Sequence, residues 1–226
     1  MNRAEVAARL DGAARERGLA WPPGSAERLT LYLAAVVRLS KEVNLTGAET
    51  LPEAVEVLGV PSLALGRAWP ARRPAPRLVV DLGSGNGMPG VVAALAWPAA
   101  RVLLVERRAK KARAIEECLR EAAILNAGAL PIDGRELLQA HPNARRGVDL
   151  VLARGVGELA EVTRIAAPWL APGGRLVQWK GANLEAAERQ GGEREAQRAG
   201  LVLMNDELFD PPQPGPGRLV IYGRTA

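Results

Sequence analysis

Asp81 stands just ahead of four closely set glycines in the run Asp81-Leu82-Gly83-Ser84-Gly85-Asn86-Gly87-Met88-Pro89-Gly90. Glycine lets a backbone turn sharply and approach a ligand where a Cβ would collide. Residues 85–90 also fit the dinucleotide pattern G-x-G-x-x-G, a weak signal when it stands alone. The carboxylate of Asp81 is placed to accept from a ligand ammonium or from a water ordered beside it. Glu106 closes the next apolar run, where an acid takes both hydroxyls of a ribose. Arg154 and Lys180 each end a further apolar run. Cations there would face a substrate and could hold a phosphate or a carbonyl on a base edge.

The ribose acid does not by itself separate a nicotinamide cofactor from S-adenosylmethionine. A second turn does. Leu170-Ala171-Pro172-Gly173-Gly174 resembles the L-x-P-G-G turn before the fifth strand of class I methyltransferases. Its pairing with D-L-G-S-G-N-G is rarely seen in dehydrogenases, so the expected cofactor is S-adenosylmethionine. Methylation of a pyrimidine carbon needs a cysteine nucleophile, but Cys118, the single cysteine, lies beside Glu116 and Glu117 in a predicted helix and reads as structural. The run ending Ala153-Arg154-Gly155 lacks the N/D-P-P-Y/F loop used on exocyclic amines. His141, the one histidine, precedes a proline in a predicted surface loop, and no metal-ligand cluster is visible. Two acceptor classes remain: one needing no catalytic base, such as guanine N7, and one served by a base that the sequence does not reveal. For the first, alignment for in-line displacement supplies most of the acceleration. Arg154 and Lys180 are then the candidate catalytic residues.

An α/β pattern positions these groups. Residues 1–70 read as helices, with Ser25 as a candidate N-cap and Leu29, Leu33, Val36, Val37 and Ser40 on one face. A third short helix is expected near Leu51, and residues 69–76, rich in proline and arginine, form a connector. Strands are predicted at 77–83, 101–107, 148–154, 174–180, 201–209 and 217–223, with a helix over 109–126. The expected fold is therefore a Rossmann-like doubly wound sheet, residues 71–226, behind an N-terminal helical cap, residues 1–70.

The bulk numbers agree with one such unit of 226 residues. No apolar run nears the roughly 20 residues that span a bilayer, and no secretory signal is visible. One cysteine excludes a disulfide framework and points to the cytoplasm. The net charge of +5 is compatible with a polyanionic partner such as RNA and equally with biased genomic composition. Charge alone does not decide the substrate.

Asn44-Leu45-Thr46, DLGSGNGMPG, ERRAKKARAIEE, ARGVGEL and QWKG occur in this order and resemble the motifs of the bacterial 16S ribosomal RNA guanine-N7 methyltransferase family, RsmG or GidB. The Met88-Pro89-Gly90 continuation of the glycine loop is the most specific of these features. The resemblance implies a class I fold, S-adenosylmethionine, and guanine N7 in the 530 loop of small-subunit RNA as target, with 16S RNA or the small subunit as partner. It assigns cofactor binding to Asp81, Gly83, Ser84, Gly85, Gly87, Met88, Glu106, Arg107 and Arg154. It further places Asp133, Gly134 and Arg135 near the adenine, Arg154 beside the active site, and Lys180 after the fifth strand. A monomer is expected. The family's R-H-x-x-D-S segment corresponds here to Val57-Leu58-Gly59-Val60-Pro61-Ser62, which keeps only the serine. A histidine usual in the closing strand is also missing from 217–220. Two alternatives stay open: a same-fold methyltransferase acting on a small molecule or protein, and a non-catalytic RNA-binding relative.

Overall fold

The computed structural model describes residues 1–209 and 217–225. Helix α1 (Arg3–Glu16) opens with a capping box: the Asn2 side chain accepts from the Glu5 amide, and the Glu5 carboxylate accepts from the Asn2 amide. Helix α2 (Ser25–Val43) is capped differently from the sequence expectation. Gly24, left-handed at φ +82°, is its N-cap, and Ser25 is the first helical residue. The Ser25 hydroxyl reaches the Leu95 carbonyl instead. At the other end Asn44 ends α2 in the left-handed conformation, φ +51°, which asparagine tolerates better than most residues. Then α3 (Leu51–Ala54), a π-helical turn (Val55–Gly59) and α4 (Val60–Ser62) run on as one interrupted helix, followed by α5 (Leu65–Ala68).

Seven strands follow among the described residues: β1 (Leu78–Leu82), β2 (Arg101–Val105), β3 (Ala127–Leu130), β4 (Val148–Arg154), β5 (Leu170–Gly181), β6 (Leu201–Phe209) and β7 (Gly217–Arg224). Between them lie α6 (Gly90–Ala96), α7 (Ala109–Glu121), α8 (Leu137–Ala140), α9 (Leu159–Ala166) and α10 (Ala186–Arg198). The sheet order is β3-β2-β1-β4-β5-β7-β6. Strands β1 to β5 pair in parallel, while β7 is antiparallel to both β5 and β6. Strand order reverses between β1 and β4, which opens a crevice at their carboxyl ends.

Side chains alternate across the parallel strands and build two cores. Val79, Val102, Leu104, Leu150 and Leu152 face a cluster that also takes residues of α1, α2, α6 and α7. Val80, Leu82, Leu103, Val105 and Val151 face the other, shared with α8, α9 and α10. The N-terminal helices therefore contribute to one continuous core with a face of the sheet. The L-x-P-G-G turn has a structural role at the opposite end of the sheet from the glycine loop. Leu170 pairs with Val148 and Arg175 with Leu150, so residues 171–174 bulge out of β5. A Cβ on Gly174 would lie 2.9 Å from the carbonyl oxygens of Ala171 and Val148. Among the described residues no helix is long and apolar enough to cross a membrane.

Candidate cofactor and acceptor site

The glycine loop leaves β1 at the point where strand order reverses and walls a cavity of about 470 Å³. Of the sequence-predicted residues, Gly83, Gly85, Glu106, Arg107, Asp133, Gly134 and Arg135 line this cavity. Ile132, Val156, Val162 and Ile165, which sequence reasoning passed over, supply its apolar surface. A Cβ on Gly83, at φ +68°, would lie 2.5 Å from a Val156 methyl. A Cβ on Gly85 would meet only the Gly83 carbonyl oxygen at 3.7 Å, so this glycine turns an open face to the cavity. Glu106 is 7% exposed. One of its oxygens accepts from the Gly85 amide at 3.0 Å and the other from the Arg108 amide at 2.8 Å. Each oxygen keeps a second lone pair, so Glu106 can bind hydroxyls while it ties the loop to β2. Asp133 caps the turn after β3 by accepting from the Arg135 amide at 2.9 Å, and the Arg135 guanidinium pairs with Glu161 across the cavity mouth.

Asp81 and Ser84 lie beneath the loop, outside the cavity wall, and are buried. Asp81 Oδ2 accepts from Ser84 Oγ at 2.9 Å and from the Gly90 amide at 3.0 Å. Its Oδ1 is buried and has no protein partner. Burial pushes the Asp81 carboxyl up to about 7, against the opposing pull of those two hydrogen bonds and of the Arg154 charge. Gly90 is required by this packing, since a Cβ there would come within 2.8 Å of the Asp81 carboxylate and 2.3 Å of Leu104.

Gly87 and Met88, also expected to bind cofactor, lie off the cavity wall on the back of the loop. A Cβ on Gly87 would fall 2.0 Å from the Tyr32 hydroxyl, which donates to the Asn86 carbonyl at 2.9 Å. Met88 is 3% exposed and sits in the core shared with α2. The back of the loop is thus built against α2, and Asn86 Nδ2 reaches the Leu45 carbonyl at 3.4 Å within the Asn44-Leu45-Thr46 stretch. Sequence reasoning missed Tyr32; its only trace was a lone aromatic among the aliphatic residues of that helix face.

Arg154 and Lys180, the expected catalytic residues, lie off the cavity wall, and most of their donors are engaged within the protein. Arg154 Nη1 donates to the Leu58 carbonyl and Ser62 Oγ, both at 3.1 Å, and Nη2 donates to the Val57 carbonyl at 2.6 Å. The arginine therefore clamps the interrupted helix to the end of β4. It does so at the segment where the arginine, histidine and aspartate of the resembled motif are absent. Trp179 adds a parallel tie, with Nε1 donating to the Pro61 carbonyl at 3.1 Å. Lys180 Nζ donates to the Gly157 carbonyl at 2.8 Å and pairs with Glu188 at 2.6 Å. Gly157 lines the cavity, so Lys180 fixes its rim.

A profile of the family described as rRNA small subunit methyltransferase G, GidB, matches residues 25–206. The chain belongs to that family. Ribosomal RNA small subunit methyltransferase G of Methylococcus capsulatus is 32% identical over 160 residues, covering 71% of this chain and 73% of that protein. Its counterpart in Chlorobium limicola is 34% identical over 161 residues, covering 70% and 69%. Among solved structures, TrmN from Thermus thermophilus superposes with a TM-score of 0.56 at 21% identity, covering 73% of this chain. The chain spans about half of TrmN, 48%, so this likeness concerns the fold. It agrees with the class I sheet order described above.

Proposed function

We propose that this GidB-family protein methylates N7 of a guanine in the 530 loop of 16S ribosomal RNA, using S-adenosylmethionine. The family match over residues 25–206 supports this reading and carries the choice of substrate. The cofactor choice is supported by Asp81, whose Oδ1 lies beneath the loop without a protein partner; a ligand ammonium at the loop would be answered by it through an ordered water. The open face of Gly85 and the free lone pairs of Glu106 suit a ribose beside it. Asp133, Gly134 and Arg135 wall the end of the cavity where an adenine would lie.

When bound, the cofactor supplies a sulfonium-activated methyl group. Guanine N7 is neutral and carries an available lone pair, so the chain needs no residue to remove a proton before transfer. Its work is alignment. Asp81 would orient the amino-acid end of the cofactor from beneath the loop, and Glu106 would hold the ribose while it keeps Gly85 in place. Arg154 acts as a positioning residue that sets the helical segment 51–62 over the acceptor side. Lys180 positions the 155–157 rim through the Gly157 carbonyl. This reading describes a monomer working in the cytoplasm.

The test is transfer of a radiolabelled methyl group to small-subunit RNA, or assembled subunits, lacking this modification. Label mapped to 7-methylguanine in the 530 loop is the expected result. No transfer to either substrate by protein that binds the cofactor would overturn the assignment.

A further inference from the structure

Residues 107–113 carry five cations, Arg107, Arg108, Lys110, Lys111 and Arg113, and no acid. Four are exposed and Lys111 is half-buried. They occupy the start of α7 and the two residues before it, and Arg107 and Arg108 reach the cavity wall. Cations at a helix N-terminus oppose the helix dipole, and the first turn of α7 has no acid to offset them. The far end of α7 is acidic, the reverse of what stabilises a helix, yet its acids are answered within the molecule. Glu117 and Glu121 pair with Arg38 of α2, and the Glu116 carboxylate accepts from the Ala129 amide. Among the described residues none of the five cations has an ion-pair partner, and the adjacent Glu106 is occupied by the Gly85 and Arg108 amides.

We infer that this cationic start of α7 is the surface on which the phosphate backbone of the RNA substrate docks. The inference rests on the RNA reading above and names the surface that reading requires. Lys110, Lys111 and Arg113 span about 5 Å of helix at ~1.5 Å per residue, and Arg107 and Arg108 extend the patch ahead of the helix, a spread suited to successive phosphates rather than one small anion. Because the patch continues into the cavity wall, a strand held there lies beside the cofactor cavity. A polyanion docked there would offset the cost of placing like charges against the helix dipole.

The test compares wild type with Lys110→Gln/Lys111→Gln/Arg113→Gln. A control, Arg3→Gln/Arg15→Gln/Arg67→Gln, makes the same charge change at exposed positions of α1 and α5. Binding to a small-subunit RNA fragment carrying the target guanine is followed by fluorescence anisotropy from 50 to 200 mM salt. Calorimetry with S-adenosylhomocysteine checks the cofactor site. The α7 variant should bind RNA at least ~10-fold more weakly, and its log–log salt slope should be shallower by about 2, from ~0.7 per lost contact on a single strand. Its cofactor affinity should be unchanged, and the control should behave as wild type. Wild-type affinity and slope in the α7 variant, or an equal loss in the control, would overturn the surface while leaving an RNA methyltransferase intact. A wild-type protein that neither binds nor methylates this RNA would overturn both the surface and the substrate reading.

Discussion

Raising the pH from 5 to 7 should tighten S-adenosylmethionine binding by about 5- to 30-fold, because the ligand ammonium prefers ionised Asp81 by a charged hydrogen bond and burial pushes that carboxyl up to about 7. At pH 5 only about one chain in a hundred carries the carboxylate, and at pH 7 about half do. The sign for stability runs the other way from an ordinary paired acid. The folded value lies above the usual 3.8, so the neutral form is the one the empty fold favours. That contribution is present at low pH and is lost as pH rises from about 4 through about 7. Three units at ~1.36 kcal/mol each make this about 4 kcal/mol for the ligand-free protein. Calorimetry between pH 5 and 7.5, in buffers of different ionisation enthalpy, should show roughly 0.4 to 0.85 proton released per ligand near pH 6. Asp81→Asn should release none, bind with no dependence on pH over that range, and be about 10- to 150-fold weaker at pH 7.5, as for a lost charged hydrogen bond of ~1.5–3 kcal/mol. A wild-type affinity that is flat from pH 5 to 7, with no proton release, would refute this account of Asp81.

Gly87→Ala should lower stability by about 2–4 kcal/mol, since its Cβ meets the Tyr32 hydroxyl at φ +89°. Chemical denaturation should show Tyr32→Phe returning part of that loss in the double variant, and a strictly additive double variant would contradict the contact. Arg154→Ala should lower Tm and move the pH midpoint of cofactor binding upward, because the Arg154 charge favours ionised Asp81. Arg154→Lys keeps the charge and loses the forked contacts to Val57, Leu58 and Ser62, so Tm should fall while the midpoint stays in place. Burial pushes the Cys118 thiol up to about 12, so iodoacetamide at pH 8 should leave the folded protein unmodified and react only on unfolding; rapid labelling of native protein would show the helix opening.

The alternating strands, the glycine loop at the end of β1 and the acid at the end of β2 were legible in the residue order, because periods of 2 and 3.6 and left-handed turns are local properties. The placement of Glu106 followed from its position at the end of a predicted strand, whereas β3, too short and mixed to show a period, went unpredicted, and Asp133-Gly134-Arg135 came only from the family resemblance. Which side of the loop each glycine faces was not legible. Gly85 opens to the cavity while Gly87 is closed off by Tyr32, from a helix that lies far away in sequence and meets the loop only when the core forms. Arg154 and Lys180 show the same limit from the side of charge. Residue type and strand-end position say that a cation is present, but most of its donors are committed, to Val57, Leu58 and Ser62 in one case and to Gly157 and Glu188 in the other. The unpartnered Oδ1 of Asp81 belongs to this second class as well. Whether a polar group is satisfied depends on every element packed around it, so the chain order determined which groups were available, and the tertiary structure alone decided which of them remained free for a ligand.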